Sequence, residues 1–253
     1  LQGVLTYHEP TLEKHLKGHR NSITAMYYSP NEHQLATSSL DNSILLWDLR
    51  GTLRSYRFQG HDEAVMDVTF SPSGKYMATA SRDKTVRLWV PTVTGSTGVF
   101  KAHSQTVRSV MSNDGSVIAS CSDDKTAKLW NPDSGECIHT YKNQKGHGLY
   151  LAWHPSGCYI AIGTSQGNIK LYDVRTHNLL HSYGHTGSVN AVSFSPSGDS
   201  FASAGDDKLV SKLRNSFLTF MQRLIMYLMM SLFCRYFCGE QTSLRYQVTQ
   251  KRM

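Results

Sequence analysis

The chain has 253 residues, is 40% hydrophobic and 18% charged, and contains 19 glycines against 7 prolines, which fits one globular domain. Its net charge of +7 is concentrated in residues 214–253, where six basic residues and one acidic residue leave only +2 for residues 1–213. Because a nucleic-acid-binding domain carries its own basic stripe, this nearly neutral body argues against direct binding of DNA or RNA.

The cysteines and the first residues argue against secretion and against a metal centre. The five cysteines form an odd set without C-x-x-C spacing: Cys121, Cys137, Cys158, Cys234 and Cys238. Reduced thiols in a cytoplasmic protein are therefore predicted, rather than a zinc site or a disulfide framework. No charged-then-apolar signal segment precedes the first repeat. We predict no cofactor.

One motif recurs at steps of 41 or 42 residues. Each unit opens with a His and later contains an Asp and a Trp: His19, His61 and His103; Asp41, Asp83 and Asp124; Trp47, Trp89 and Trp130. In the second unit an apolar alternating run (64–70), a Ser-Pro-Ser-Gly turn, a second strand (76–80), a tight turn (82–84) and a third strand (85–89) follow one another. Turn residues between period-two runs predict antiparallel hairpins, and this period predicts an all-β propeller.

These residues resemble the WD-repeat family over roughly residues 1–213. In that family the His, a Ser or Thr of the second strand, the Asp and the Trp form a buried hydrogen-bonded tetrad. The carboxylate accepts from the imidazole, which orients the hydroxyl and the indole N–H, so that four buried polar groups satisfy one another. The resemblance implies three complete tetrads: His19, Thr37, Asp41 and Trp47; His61, Thr79, Asp83 and Trp89; His103, Ser120, Asp124 and Trp130.

Histidine, hydroxyl and carboxylate are also the residue types of a catalytic triad. A triad occurs once, beside an oxyanion hole, whereas this set recurs three times with a tryptophan attached. We therefore interpret the tetrads as stability features and the protein as a non-enzyme. A hydrolase is the less favoured alternative, and an exposed, unpaired Ser beside a His, labelled by a serine-directed probe, would support it.

The third and fourth units depart from the pattern. Between Val107 and Gly115 the third unit is one residue short, which moves later side chains to the other face unless a bulge or a shorter turn absorbs the deletion. His147 precedes the turn residue Gly157 by 10 residues instead of the 13 found in the second and fifth units, so it is out of register. The fourth unit is therefore expected to lack a tetrad, with Gln144, Ile162, Gln166 and Tyr172 at the four positions.

The fifth unit begins with Gly184-His185 and reaches Ser203 and Asp207, but Leu213 stands where Trp is expected. The propeller is accordingly assigned to residues 1–213, with repeats starting near residues 11, 54, 96, 137 and 179. Residues 214–253 diverge, and 217–233 are apolar and Met-rich. Non-native sequence is the preferred interpretation. An amphipathic or partner-binding helix and a membrane span are alternatives, although a span needs about 18 uninterrupted apolar residues.

A closer resemblance is to the centriolar WD-repeat family called protein of centriole one. It rests on residues 9–20, 70–74, 81–91 and 173–177, including a Trp-Val-Pro ending and an Asp-Val-Arg-Thr-His linker. Members have seven blades, a linker and a coiled coil, so five units indicate a shortened or variant form. The resemblance implies a scaffold in centriole and basal-body assembly, stability and ciliogenesis. It would bind centriolar or microtubule-associated proteins at the centriole, centrosome or cilium basal body.

Five units do not fill a ring of seven, so we expect an incompletely closed propeller of marginal stability. Its unpaired strand edges would be open to pairing with other chains and to aggregation. Residues 11–17 are expected to supply the outer strand of the first blade, while their C-terminal partner is lost in the divergent tail.

In WD-repeat proteins the narrow face commonly binds partners through positions three and five residues after the repeat His and one before the turn Asp. These positions are Ala64, Met66 and Arg82; Thr106, Arg108 and Asp123; Ser188, Asn190 and Asp206. The candidate partner-binding residues are Arg82, Arg108, Asp123, Met66 and Asn190, with the arginines preferred because Arg is enriched in hot spots. Solvated surface arginines are the alternative. Replacing Arg82 and Arg108 together by Glu is expected to abolish centriole targeting without changing thermal stability.

A generic WD-repeat adaptor, such as a ubiquitin-ligase substrate receptor or a nucleic-acid-processing subunit, is the alternative function. A diffuse or nuclear signal from a tagged protein would favour it over a centriolar scaffold. In either case the predicted partners are proteins, and no small-molecule substrate, direct nucleic-acid contact or membrane contact is predicted.

Overall fold

The structure is a computed structural model that describes residues 15–50, 54–92, 96–101, 103–113, 115–142 and 145–214. Within these ranges the chain forms nineteen β-strands in five antiparallel sheets, and no helix. Each sheet is one blade. Blades one to four combine the first three strands of one repeat with an outer strand from the start of the next repeat. The expected all-β fold with five blades is therefore confirmed, whereas most of the tail, residues 215–253, lies outside the described residues.

The strands follow the blades in chain order. Blade one comprises β1 (Ile23–Tyr28), β2 (Gln34–Ser39), β3 (Ser43–Asp48) and β4 (Ser55–Gln59). Blade two comprises β5 (Val65–Phe70), β6 (Met77–Ser81), β7 (Thr85–Trp89) and β8 (Ser96–Lys101). Blade three comprises β9 (Val107–Ser112), β10 (Ile118–Ser122), β11 (Ala127–Trp130) and β12 (Cys137–Tyr141). Blade four comprises β13 (Gly148–Trp153), β14 (Tyr159–Thr164), β15 (Asn168–Asp173) and β16 (Leu179–Gly184). Blade five comprises β17 (Val189–Phe194), β18 (Ser200–Gly205) and β19 (Val210–Arg214).

Strands pair in chain order within each blade, and the first strands β1, β5, β9, β13 and β17 pack against one another in succession. The outer strand of blade one is β4, which pairs with β3 and comes from the segment after Trp47. The expectation that residues 11–17 supply this strand is therefore wrong. The described part of that segment, residues 15–17, lies in no strand, and residues 11–14 lie outside the described residues.

The same tight turn joins the second and third strands of every blade. The residue at its tip has a positive φ of 60–80°, in the order Asn42, Lys84, Lys125, Gly167 and Lys208. In four blades the preceding Asp carboxylate accepts a hydrogen bond from the backbone N–H two residues on, as from Thr85 to Asp83 at 3.0 Å. Such an Asx turn compensates a left-handed conformation that lysine seldom adopts.

The one-residue deletion in blade three is absorbed by a shorter turn. In blade two, Phe70 pairs with Met77 and six residues lie between them, whereas in blade three Ser112 pairs with Ile118 across five. Both blades have the same bulge near the start of the first strand. The side chains of the second strand therefore point to the same faces in blades two and three, and Ser120 lies on the same face as Thr79.

Each blade has two buried faces. We call the face that carries the tetrad hydroxyl the tetrad face, and the opposite one the plain face. The plain face of blade one, including Ala36, Ile44 and Leu46, packs against the tetrad face of blade two, including Val68 and Phe70. The same arrangement recurs between blades two and three, three and four, and four and five. Each fully buried aliphatic or aromatic side chain in these layers contributes about 1.5–3 kcal/mol to folding.

The ring is incompletely closed, as expected from the repeat count. Among the described strands, those of blade one pack extensively against blade two but not against blade five. Blade five also has three described strands, whereas the other blades have four. The tetrad face of blade one and the plain face of blade five are therefore left open in the described part of the chain.

Buried tetrads and a central cavity

The tetrad of blade two shows how the repeat residues satisfy one another. His61 Nδ1 bonds to Asp83 Oδ2 at 2.7 Å, and His61 Nε2 lies 2.7 Å from Thr79 Oγ1. Trp89 Nε1 donates to the same hydroxyl at 2.9 Å. The side chains of His61 and Asp83 are 0% and 5% exposed, so no water is needed to pair them. The ionised carboxylate favours the Nδ1–H tautomer, which leaves Nε2 to accept the threonine proton.

The carboxylates of the tetrads are held ionised. Burial raises the pKa of Asp83, but hydrogen bonds from His61 and Thr85 outweigh it and hold the pKa well below its usual range. The same balance of burial against donated hydrogen bonds lowers the pKa of Asp41 and of Asp124. A carboxylate that accepts several such bonds is stabilised in its charged form.

Blades one and three repeat this geometry with the predicted residues, His19, Thr37, Asp41 and Trp47, and His103, Ser120, Asp124 and Trp130. The distances from His Nε2 to the hydroxyl oxygen are 2.7 and 2.9 Å, and both indoles donate at 2.9 Å. Each hydroxyl is buried and is already engaged by a histidine and an indole. None of the three is an exposed, unpaired serine beside a histidine, the feature that the hydrolase alternative requires.

Blade five contains a further hydrogen-bonded set, which the sequence analysis did not count as a tetrad. His185 lies 2.8 Å from both Asp207 Oδ2 and Ser203 Oγ. Leu213 occupies the tryptophan position, and a cavity of about 200 Å³ lies beside Ser203, His185 and Leu213. The signal was present in the sequence, because His185 precedes Asp207 by 22 residues, the spacing of His61 and Asp83.

Blade four replaces the tetrad with apolar packing. Ile162 and Tyr172 are buried, at 0% and 6% exposure, and belong to the core between blades three and four. Gln166 is exposed, and Gln144 lies outside the described residues. The out-of-register His147 is also exposed, and its Nδ1 lies 2.7 Å from the backbone carbonyl oxygen of Asp123.

A central cavity of about 270 Å³ lies where the five blades meet. It is lined by residues from every blade: Thr24, Ala25, Met66, Asp67, Arg108, Ser109, Leu149, Tyr150 and Asn190. Three of the five candidate partner-binding residues, Met66, Arg108 and Asn190, therefore share one cavity. Arg82 and Asp123 are not among its lining residues, and Arg82 is exposed.

Arg108 is held by an ion pair. Its Nε and Nη2 donate to the carboxylate of Asp123 at 2.8–3.0 Å, and the Arg108 side chain remains 38% exposed. The hydrogen bonds that Arg108 donates to Asp123 raise the pKa of Arg108 above its usual value. On the fifth blade Asn190 donates in the same way to Asp206. These candidate residues are thus fixed in position by acidic neighbours on their own blades.

Asp67 is a cavity residue that the sequence analysis missed. Its Oδ2 accepts from the Ser109 hydroxyl at 2.8 Å and from the Val110 N–H at 3.0 Å, which links blade two to blade three. Desolvation by burial raises the pKa of Asp67 to about 6, although these bonds oppose the rise. The only sequence signal is one carboxylate within the otherwise apolar first strand of the second unit.

Neither a metal centre nor a membrane helix is found in the described ranges. No group of three or more His, Cys, Asp or Glu residues there is placed to hold a metal ion. Within the same ranges no apolar helix reaches the length that crossing a bilayer requires. The apolar stretch 217–233 lies outside these ranges.

Comparison with known proteins finds centriolar relatives over short stretches. The chain is 42% identical over 50 residues to POC1 centriolar protein homolog A of Xenopus tropicalis, covering 20% of this chain and 11% of that protein. POC1 centriolar protein homolog B of Danio rerio is 46% identical over 50 residues, covering 20% and 10%. Pre-mRNA-processing factor 19 homolog 2 of Arabidopsis thaliana is 38% identical over 95 residues, covering 34% and 18%. The matched stretches are thus a small part of each relative.

The family comparison covers much more of the chain. The profile named WD domain, G-beta repeat matches residues 10–48, 53–90, 95–131, 135–173 and 177–211. Each match contains the first three strands of one blade, and the four later matches also contain the outer strand of the preceding blade. Together the five matches span more than half of the sequence. The chain belongs to the WD domain, G-beta repeat family, and it resembles the POC1 centriolar members of that family.

Proposed function

We propose that this chain is a non-catalytic scaffold that binds a centriolar protein at its central cavity. The observation that carries the proposal is the convergence of Met66, Tyr150 and Asn190, from three different blades, on one opening. The packed blades form a scaffold that holds these side chains in place, and the residues carried on such a scaffold decide which partner is bound.

The cavity has the mixed character of a protein-binding site. Met66, Leu149 and Tyr150 supply apolar surface, and Tyr150 is 46% exposed. Arg108 and Asn190 add polar groups at fixed positions beside them. Tyrosine and arginine near the centre of an interface are the residue types that most often dominate binding.

The centriolar assignment is supported by the matches to POC1 centriolar protein homologues of frog, fish and fly. Under this proposal the chain contributes to centriole or basal-body assembly through that partner. The test is to express the full chain with a fluorescent tag in ciliated cells that carry a centriole marker. A focus that coincides with the marker is expected, and a diffuse signal would contradict the centriolar assignment.

A nuclear adaptor is the second candidate. The match to Pre-mRNA-processing factor 19 homolog 2 extends over 95 residues, a longer stretch than the centriolar matches. The same imaging experiment separates the two candidates, because a nuclear signal without centriolar foci is expected of the adaptor alone.

A further inference from the structure

Three side chains on the tetrad face of blade one are exposed although they occupy core positions of the repeat. Ile23 is 57% exposed, Met26 is 71% exposed and Tyr28 is 60% exposed. They lie along the innermost strand β1, where Met26 is paired with the tetrad residue Thr37. Their face also carries the small apolar cluster Leu35, Leu45 and Trp47.

The equivalent positions are buried in the next blade. Strand pairing aligns Ile23, Met26 and Tyr28 with Val65, Val68 and Phe70, which are 0%, 1% and 2% exposed. The residues of blade two are buried because the plain face of blade one covers them. In every blade-to-blade interface of this chain, the surface that covers a tetrad face is therefore the plain face of another blade.

Among the described residues, one such plain face is left open, on the last blade of the series. On blade five, Ala202 is exposed and Val210 is 77% exposed. Strand pairing aligns them with Ala36 and Ile44 of blade one, both 0% exposed beneath blade two. The two open surfaces are thus the two halves of the interface that the chain already forms four times.

We propose that a second copy of this chain covers the tetrad face of blade one with the plain face of its own fifth blade. The contact is head-to-tail, because the two surfaces differ and lie at opposite ends of the blade series. It continues the packing of a plain face on a tetrad face that joins the preceding blades. A heterologous contact of this kind leaves one open face at each end, so dimers extend into longer chains or close into rings.

Lys212 makes this intermolecular interface weaker than the internal ones. It stands where the other four blades carry a buried leucine, namely Leu46, Leu88, Leu129 and Leu171. A lysine can lay its methylene stem on apolar surface while its ammonium reaches solvent at the rim, at a cost in buried area. Reversible, concentration-dependent association follows, rather than permanent assembly.

The test is sedimentation velocity of the full chain over a range of concentrations. The wild type is expected to pass from a 28.4 kDa monomer to dimers and larger species as concentration rises. Met26→Asp breaks only the first-blade surface and Val210→Asp only the fifth-blade surface, so each variant alone is expected to remain monomeric. A mixture of the two is expected to form a heterodimer and stop there, since one intact surface of each kind remains.

Two further variants sharpen the test. Lys212→Leu restores the residue of the other blades and is expected to tighten association about tenfold or more. Ile138→Asp alters another exposed hydrophobic residue, 48% exposed on the outer strand β12, and is expected to associate like the wild type. Unchanged thermal melting of each variant shows that it remains folded. A wild type that is monomeric up to its solubility limit, association that survives Val210→Asp, or a mixture that stays monomeric would each overturn the proposal.

Discussion

The tetrads bury a carboxylate, an imidazole, a hydroxyl and an indole N–H in a layer that is largely apolar. Each group alone would be costly to desolvate, and the four together leave no unpaired donor or acceptor. In blade two this network ties the start of the blade to its second strand through His61, and to its third strand through Trp89. The four residue types recur together because removing one of them leaves the others buried without a hydrogen-bond partner.

Removal of one tetrad carboxylate is therefore expected to destabilise the fold strongly. Asp83→Ala leaves His61 without its acceptor and should lower the free energy of unfolding by about 3 kcal/mol, as for other broken buried pairs. Gln166→Ala is the matched control, since this exposed residue holds the same position in the blade without a tetrad, and a change within about 0.5 kcal/mol is expected. Chemical denaturation measures both, and equal effects would contradict the role given to the tetrad.

Asp67 makes stability depend on pH in the opposite sense to the tetrad carboxylates. Its pKa in the folded protein is about 6, against an ordinary value of 3.8, so the folded state holds its proton over the window between them. The contribution of Asp67 to the free energy of unfolding therefore falls as pH rises through this window and is constant above it. Asp67→Asn removes the titration, so wild-type stability relative to this variant is expected to decline between roughly pH 4 and pH 6. A flat difference across that range would show that the carboxyl is not perturbed.

Because Arg108 forms an ion pair, replacing it by Glu affects the stability of the fold as well as partner binding. Arg108→Glu would place a second carboxylate against Asp123, which is only 14% exposed in its side chain, so repulsion would lower stability as well as binding. The expectation that replacing Arg82 and Arg108 by Glu leaves thermal stability unchanged does not fit this geometry. Cavity residues with exposed, uncharged side chains are better probes of partner binding.

At the scale of the strand and the blade, much follows from the local sequence. The period-two runs and the Ser-Pro-Ser-Gly turns predict the hairpins, and the structure has them at those places. The short turn of blade three was one of two foreseen ways to absorb a deletion, and pairing partners were needed to choose between them. Asp67 could not be interpreted from its own strand, because its partners Ser109 and Val110 belong to the next blade.

Blade five offers a test of the tryptophan position. Leu213→Trp places an indole beside Ser203 and into the adjoining cavity of about 200 Å³, where the other tetrads have their tryptophan. A new indole hydrogen bond and the filled cavity are expected to raise the free energy of unfolding by about 1–2 kcal/mol. Leu213→Phe fills space without donating and should gain less. Destabilisation by the tryptophan variant would mean that the cavity does not have the shape of the other tetrad sites.

At the scale of the whole molecule, the number of repeats is enough to predict an incompletely closed ring. It does not predict which side chains are exposed at the two ends of the blade series. Which side chains are exposed at the ends follows from the order in which faces pack, a property of the assembled blades. The central cavity is likewise formed only when five blades meet, so its residues Leu149 and Tyr150 carried no distinguishing signal in sequence. The open faces and the cavity are therefore products of tertiary structure.

The most direct measurement of the central claim is centriolar recruitment of cavity variants in cells. Met66 and Tyr150 line the cavity, whereas Tyr56 is a comparably exposed tyrosine on the outer strand β4. The double variant Met66→Ala with Tyr150→Ala is expected to lose centriolar foci while melting within a few degrees of the wild type, as usual for partly exposed side chains. Tyr56→Ala is expected to keep the foci. Foci that persist in the folded double variant would contradict binding of the partner at the central cavity.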